Sequence, residues 1–196
     1  MIGWQKSFIT APILRTSLTW SNDKMDETNL QHAIHWDGED VTGWIVTEKF
    51  DGCRAYWDGE QLWSRGGKAI DIPDEWRESL PAGVHFDGEL FAGYGNSRRV
   101  ASAIRHGSSK FTAGMMFMVF DAPEAAGDYL ARMRTVRGNE VVKLVPISIA
   151  NSTRHAIETM EEVQARGGEG LMLRHPRLRY APGRTNLMLK MKGFAD

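Results

Sequence analysis

Short apolar runs divided by glycine pairs dominate the sequence from Gly43 onward. The runs are rich in Trp, Val, Ile, Tyr and Phe, and many of them end at Asp-Gly or Gly-Gly pairs. Aromatic and β-branched residues favour strands, and such pairs favour tight turns between antiparallel strands. The pattern predicts strands over residues 44–50, 53–57, 61–64, 84–91, 115–120, 170–174 and 187–192, with Asp58-Gly59 as the turn between the second and third.

Three helices are predicted between these strands. Residues 97–106 place apolar side chains on one side and arginines on the other, and Gly107 can end that helix. Residues 126–137 carry a less regular helical pattern. Residues 152–166 begin at Ser152, a favoured N-cap, and end before Gly167-Gly168. Helices packed on a mainly antiparallel sheet predict an α+β fold, and residues 1–42, which lack sustained periodicity, are interpreted as an N-terminal extension of unclear role.

The composition fits one ordinary globular domain over residues 1–196. Hydrophobic residues make up 42% of the chain and charged residues 25%, as in many soluble proteins. Cys53 is the only cysteine, which excludes an internal disulfide and a cysteine-based zinc cluster. Pro12 breaks the apolar stretch near the N-terminus, so a signal segment is not expected. We therefore expect a monomer in the cytoplasm without membrane association.

The charges are segregated along the chain although the formal net charge is only −1. Between Glu89 and Asp121, and again between Glu169 and Asp196, every Asp, Glu, Lys or Arg is basic. Such stretches can form a basic surface that holds phosphates, although scattered solvated charge is an equal alternative. The basic residues of the first stretch are Arg98, Arg99, Arg105 and Lys110; those of the second are Arg174, Arg177, Arg179, Arg184, Lys190 and Lys192.

A reactive pattern lies at the end of the first predicted strand, where Lys49-Phe50-Asp51-Gly52 occurs. A Lys-x-Asp-Gly tetrapeptide alone is usually a solvated strand end. Here five further elements follow, each on a predicted strand or at its end. They are Ser64-Arg65-Gly66-Gly67, Phe86-Asp87-Gly88-Glu89-Leu90, Phe117-Met118-Val119-Phe120-Asp121, Glu169-Gly170-Leu171-Met172-Leu173-Arg174 and Leu189-Lys190-Met191-Lys192.

These six elements, in this order over about residues 43–193, resemble the covalent nucleotidyltransferases, and most of all the minimal bacterial and phage ATP-dependent DNA ligases. The resemblance implies an ATP-grasp-like adenylation domain, with two antiparallel sheets flanked by helices and a nucleotide cleft between them. It also implies that Lys49 takes AMP from ATP and passes it to the 5′-phosphate of a nick in double-stranded DNA. Such sealing serves DNA replication, recombination and repair.

Phosphoryl chemistry explains the basic residues of the pattern. Attack on the α-phosphorus requires a neutral amine, whereas the pKa of lysine in water is about 10.4. Nearby cations are therefore needed to favour the neutral form. Arg54, Lys190 and Lys192 are candidates, and they could also offset charge on the phosphate oxygens. Lys190 and Lys192 are two residues apart on a strand, so both should point to one face.

The resemblance assigns nucleotide and metal contacts to the other elements. Glu89 and Glu169 would hold Mg²⁺ or Mn²⁺, which prefer carboxylate oxygen, and Glu89 would also contact ribose. Phe120 would stack on adenine. Arg54 and Arg65 would contact phosphate or ribose, since a guanidinium pairs well with such oxygens.

The sequence departs from the family pattern at two places. Many DNA ligases carry a glutamate two positions before the nucleophile, directed at the adenine amino group, whereas here Thr47 holds that position and Glu48 adjoins the lysine. We expect both to contribute to nucleotide binding. The chain also ends soon after Lys192, without room for an oligonucleotide-binding (OB) domain, so we expect it to hold AMP more readily than it completes ligation.

Two alternatives remain open from the sequence. An RNA ligase or capping-type enzyme would share Lys49 and the closing lysines, and a non-catalytic nucleotide- or DNA-binding module would fit the lack of an OB domain. A Walker-type NTPase and a dinucleotide-binding oxidoreductase are poorly supported, because residues 167–170 lack the Gly-Lys-Ser/Thr ending and the Rossmann spacing. DNA contacts are expected from Arg98, Arg99, Arg105 and Lys110, and from residues 174–184.

Overall fold

Two five-stranded sheets form the scaffold in the computed structural model, which describes residues 27–111 and 114–193. The strands are β1 (Gln31–His35), β2 (Ile45–Lys49), β3 (Cys53–Trp57), β4 (Leu62–Ser64), β5 (Phe86–Phe91), β6 (Met116–Asp121), β7 (Val142–Leu144), β8 (Ile147–Ile149), β9 (Gly170–Arg174) and β10 (Gly183–Lys192). The helices are α1 (Asp74–Ser79), α2 (Ser97–His106), α3 (Tyr129–Met133) and α4 (Thr153–Ala165), with short 3₁₀ turns at Glu27–Asn29 and Ser108–Lys110.

The sheet order explains how distant parts of the chain meet. The first sheet runs β1-β10-β9-β2-β8 and the second runs β4-β3-β5-β6-β7. Most neighbours are antiparallel, as predicted, but β1 pairs with β10 and β6 pairs with β7 in parallel. The α+β prediction is confirmed. Within the described residues, no helix is long and apolar enough to cross a membrane.

Elements with a clear sequence signal have the predicted bounds. The ranges of β3, β9 and α2 agree exactly with the predicted ones. Helix α4 begins after Ser152, whose side-chain oxygen accepts a hydrogen bond from the backbone N–H of His155 at 3.1 Å. Helix α2 ends at Gly107, which has a φ of 82°. Capping by a hydroxyl and a glycine stop therefore fixed these boundaries.

Several predictions were incomplete, because short elements carry little periodicity. Strands β1, β7 and β8 and helix α1 were not predicted, β10 begins earlier than expected, and α3 covers only part of residues 126–137. Strand β1 lies inside the supposed N-terminal extension, where its parallel pairing with β10 includes Gln31 opposite Gly183. Residues 31–35 are thus part of the first sheet, whereas residues 1–26 lie outside the described part.

Each sheet has its own apolar core. Trp57, Phe86 and Phe117 are buried in the core of the second sheet, and Met160 and Val163 of α4 are buried against the first sheet. Burial of such side chains contributes on the order of 1.5–3 kcal/mol each, so each sheet is stabilised by the apolar side chains packed against it. The space between them can therefore accommodate polar side chains.

A buried ion pair joins α3 to β6. Arg132 donates from Nε to Oδ1 of Asp121 at 2.7 Å and from Nη2 to Oδ2 at 3.0 Å, and Nη1 donates to the carbonyl of Gly127 at 3.1 Å. Both side chains are almost fully buried. A bidentate pair of this kind satisfies charges that would otherwise be costly inside the protein.

Replacing Arg132 by Met should therefore destabilise the fold by about 3–5 kcal/mol, because Asp121 would remain buried without its cation. Urea unfolding of the two proteins measures the difference. Arg134→Met, at an exposed neighbouring position, is the control and should change stability by less than about 0.5 kcal/mol. Equal effects of the two substitutions would show that the buried pair is not what holds α3.

Candidate active site

A cavity of about 650 Å³ opens between the two sheets. Strand β1, through Gln31, His32 and Ala33, and helix α2, through Ala101, Ile104 and Arg105, contribute to its walls. A volume of this size suits a small ligand. The cavity also collects most of the residues predicted from the sequence, namely Thr47, Glu48, Lys49, Arg54, Arg65, Glu89, Phe120 and Lys190.

Strand register explains the position of Lys49. Lys49 of β2 and Lys192 of β10 both pair with Gly170 of β9, which lies between them. A Cβ atom on Gly170 would lie 2.2 Å from the carbonyl oxygen of Met191, so only glycine fits there. The missing side chain therefore lets the backbone of β10 at Met191 and Lys192 approach β9 closely.

Glu169 bridges the two lysines. Lys49 Nζ donates to one carboxylate oxygen and Lys192 Nζ to the other. Burial raises the pKa of Glu169, but the hydrogen bonds from Lys192 and Lys49 outweigh it, and the net pKa lies below the usual value. Because Lys49 Nζ donates to Glu169, this contact must open before the amine can attack.

Lys190 completes the basic group on the cavity wall. Lys190 pairs with Met172 of β9, two residues along the strand from the pairing of Lys192 with Gly170. Burial lowers the pKa of Lys190, and repulsion from Lys192 and Lys49 lowers it further. Residues two apart on β10 share a face of the sheet, so Lys192 lies on the same face as Lys190. Lys190 lines the cavity, and Lys192 pairs with Glu169.

Glu89 is a partly buried carboxylate in the same cavity. Burial raises its pKa to about 8, although Lys49 and Arg54 favour its charged form. It lies directly opposite Arg54 in the pairing of β3 with β5. A carboxylate with such a pKa changes charge within the physiological range, which is common at functional sites.

A β-bulge sets the position of Phe120. Gly88 pairs with Val119 and Asp87 with Asp121, so Phe120 is the extra residue between them. Bulges redirect side chains, and here the ring enters the cavity. Arg54 lies 5.4 Å and Arg174 5.7 Å from the ring centroid, close enough for cation–π attraction.

Arg54 is more constrained than the sequence suggested. Its Nε and Nη2 donate to the two oxygens of Asp87 at 2.9 and 2.6 Å, and its Nη1 donates to the carbonyl of Gln31 at 2.8 Å. Tyr180 also donates to Asp87, at 2.7 Å. Arg54 is therefore an internally paired cation beside Phe120, and its phosphate or ribose contact stays a prediction.

The two residues before Lys49 point in different directions. Thr47 lies in the cavity, where its hydroxyl accepts a hydrogen bond from Nη1 of Arg174 at 2.8 Å. The carboxylate of Glu48 instead accepts hydrogen bonds from Tyr94 and Arg166. Alternation along the strand explains the difference, because neighbouring residues face opposite sides of the sheet.

The remaining predicted residues lie at the margins. Arg65 forms an ion pair with Glu27 at the surface. Of the four basic residues assigned to DNA, only Arg105 lines the cavity; Arg98 and Arg99 of α2 and Lys110 beyond it are exposed.

Sequence reasoning missed three residues of this region. Gln31 was hidden in an unpredicted strand, and the other two, Asp87 and Tyr180, meet Arg54 only in three dimensions. The Asp-Gly-Glu element already contained Asp87, and its position two residues before Glu89 was the available signal.

The carboxylates present suit a metal that shares its ligands with a substrate. Within residues 27–111 and 114–193, no group of three or more His, Cys, Asp or Glu side chains could hold a metal ion. Mg²⁺, however, commonly uses one or two carboxylates together with substrate phosphates and water. Glu89 and Glu169 fit that more modest requirement.

Comparison with known proteins identifies the family. A solved Lig E DNA ligase superposes with a TM-score of 0.76 and is 32% identical, covering 84% of this chain and 68% of its own. The chain belongs to the ATP-dependent DNA ligase family. The resemblance predicted from the six elements is thus confirmed, and so is the adenylation-domain fold.

Other relatives agree with this assignment. A curated DNA ligase from Haemophilus influenzae is 25% identical over 166 residues, which are 80% of this chain but 60% of that relative. The Chlorella virus DNA ligase-adenylate structure has the same fold, with a TM-score of 0.70 at 22% identity, covering 84% of this chain and 67% of its own. No family model matches the sequence. The chain thus spans about three fifths of the length of this curated relative.

The raised pKa of Glu89 makes the stability of this ligase pH-dependent. Between the ordinary carboxyl value of 4.5 and about 8, the unfolded chain has lost the proton that the folded protein retains. Stability should therefore fall as pH rises through this window, and it should level off above about pH 8. Glu89→Gln removes the titration, so the variant should gain on the order of 4 kcal/mol over the wild type between pH 5 and 8.5.

Chemical denaturation at a series of pH values measures this difference. Glu78→Gln, at an exposed carboxylate of α1, should run parallel to the wild type throughout. A constant difference between Glu89→Gln and the wild type across the window would contradict the assignment.

Proposed function

We propose that this chain transfers AMP from ATP to Lys49 and then passes it to the 5′-phosphate of a nick in double-stranded DNA, which is sealed. The observation that carries the proposal is the position of Lys49 in a nucleotide-sized cavity, within a cluster of cations and carboxylates. Membership of the DNA ligase family supports the same chemistry. The H. influenzae relative is itself named a DNA ligase.

In the first step, Lys49 is the nucleophile. A bond forms between Nζ and the α-phosphorus while the bond from that phosphorus to the pyrophosphate oxygen breaks. The attacking amine must be neutral, so Lys49 has to leave Glu169 and lose a proton. Lys190 and Lys192 lie on the same face of the first sheet, where their charges can stabilise the phosphate oxygens and the departing pyrophosphate.

Glu89 and Glu169 are the residues that would hold Mg²⁺ or Mn²⁺. The cation would neutralise phosphate charge during transfer. Glu89 lies close enough to Lys49 for the two charges to interact. A bound cation would add further positive charge beside Glu89 and favour its ionised form, so Glu89 could serve as a ligand at neutral pH despite its raised pKa.

Phe120 is the proposed stacking surface for adenine. Thr47 and Arg174 adjoin it at the same end of the cavity and supply hydrogen-bonding groups for the base edge or for water. Arg54 is held by its pair with Asp87 and lies 5.4 Å from the centroid of the Phe120 ring, where it helps to orient that ring. Glu48 keeps its predicted link to nucleotide binding only indirectly, through the strand that it shares with Thr47.

The proposed polynucleotide is nicked duplex DNA. Arg105 brings a guanidinium to the cavity wall, and Arg98, Arg99 and Lys110 extend the basic surface along α2 and the turn after it. Such groups bind phosphates without reading base sequence. We propose action as a monomer in the cytoplasm.

Replacing Lys49 by Ala should abolish AMP attachment, with a loss of at least roughly 10³-fold, because the nucleophile is removed. The measurement is retention of label from α-labelled ATP on the denatured protein, confirmed by an added AMP in the mass spectrum. Lys68→Ala, at an exposed lysine outside the cavity, is the control and should label like the wild type. Label that persists in Lys49→Ala would disprove the assignment.

The same assay separates the alternatives. Label from ATP but not from GTP would exclude a capping-type enzyme. Transfer of AMP from the labelled protein to nicked DNA, and not to nicked RNA, would distinguish DNA ligation from RNA ligation. A wild-type chain that takes no label with Mg²⁺ or Mn²⁺ would instead favour a non-catalytic binding module.

A further inference from the structure

A second charged cluster lies behind Lys49, around the carboxylate of Glu48. Oε1 accepts a hydrogen bond from the hydroxyl of Tyr94 at 2.8 Å, and Oε2 accepts one from Nη2 of Arg166 at 2.9 Å. Arg166 also donates from Nε to the Tyr94 hydroxyl at 3.3 Å. The side chain of Glu48 is only 9% exposed, against 51% for Arg166, so the carboxylate depends on these two partners more than on water.

The cluster joins both sides of the cleft near the end of β2. Tyr94 lies in the loop that follows β5 of the second sheet, whereas Glu48 belongs to the first. Phe50 packs edge-on against Phe91 with ring centroids 5.0 Å apart, and Phe91 packs in the same way against Tyr94 at 5.6 Å. The residues on both sides of Lys49 in the sequence are therefore anchored to one short segment.

Arg166 connects the same cluster to the turn that carries Glu169. The turn after α4 contains Gly167 and Gly168, and a Cβ atom on Gly168 would lie 2.9 Å from Oε1 of Glu48. Glycine thus lets the turn approach the strand closely. The result is a pair of parallel links between β2 and the turn: Glu48 with Arg166 on the outer face, and Lys49 with Glu169 in the cleft.

We propose that Tyr94 and Arg166 are positioning residues that act through Glu48 to fix the nucleophile Lys49 relative to Glu169 and the cavity. This inference depends on the proposed function of Lys49. The ion pair of Glu48 with Arg166 holds the backbone at the end of β2 and in the turn after α4. The pair of Lys49 with Glu169 can therefore open and close while the backbone stays in place. Nucleophilic attack is sensitive to displacements of an ångström or less, so loosening this backbone lowers the rate without removing any group that touches the nucleotide.

Ordinary surface ion pairs provide the contrast. Arg154 and Glu158 form such a pair on α4, with side chains 87% and 51% exposed. Pairs of this kind have small effects on stability, and within the described residues this one has no contact through which it could act on Lys49. A variant of Arg154 therefore reports what the loss of a surface charge on the same helix does by itself.

The test is single-turnover AMP transfer in the intact chain, with the variants Tyr94→Phe and Arg166→Gln. Each should lower the maximal rate by roughly 10- to 100-fold while changing the ATP concentration at half-saturation by less than about 3-fold. Arg166→Lys keeps a cation and should recover part of the loss. Arg154→Gln should react like the wild type. Wild-type maximal rates in both Tyr94→Phe and Arg166→Gln would overturn the proposal.

A second measurement needs no nucleotide and separates this inference from the proposed function. Competitive acetylation of the free protein, followed by mass spectrometry, compares the reactivity of Lys49 with that of the exposed Lys68. The ratio should change by at least about 3-fold in Tyr94→Phe, which deletes one oxygen atom and leaves the ring packing intact. If the wild type takes no AMP, the proposed function fails. If the acetylation ratio is unchanged in Tyr94→Phe, the positioning role fails, whatever the result of AMP transfer.

Discussion

The bridge from Glu169 to Lys49 and Lys192 is the contact around which the first sheet is organised. It requires β2 and β10 to flank β9 in one register, so that both lysines reach the same row as Gly170. A register slip by one residue would turn the lysines to the other face of the sheet. The glycine, the strand order and the carboxylate thus depend on one another, and none of the three would gather these charges alone.

In the second sheet, buried ion pairs fix the side chains that contribute to the site. Asp87 and Asp121 are adjacent across β5 and β6, and each is paired with an arginine, Arg54 and Arg132. Phe120 precedes Asp121 as the extra residue of the bulge, and Arg54 lies 5.4 Å from the centroid of its ring. Buried ion pairs add little net stability, but breaking one is costly, so they restrict the local structure to one arrangement. The aromatic side chain in the cavity is fixed by electrostatics as well as by packing.

The sequence alone predicted the parts of this arrangement that local chemistry determines. Helix α4 followed from a hydroxyl cap and a glycine stop, and Lys190 and Lys192 were assigned to one face by the two-residue period of a strand. Contacts that depend on sheet order were out of reach, because nothing local shows that β1 joins β10. For that reason the partners of Arg54 were missed, and so was the contact between the carboxylate of Glu48 and Arg166.

The charges in the cleft also indicate how the resting contact can give way to chemistry. Lys49 and Lys192 pair with Glu169, whose lowered pKa favours its ionised form. Lys190 lines the same cavity as Glu89, whose pKa is raised by burial to about 8. The cleft therefore has a surplus of positive charge before any ligand enters. A triphosphate would be attracted by that surplus and would compete with Glu169 for the two lysines. Such competition releases Lys49 from its ion pair only when the substrate is present, so the amine is shielded until it is needed.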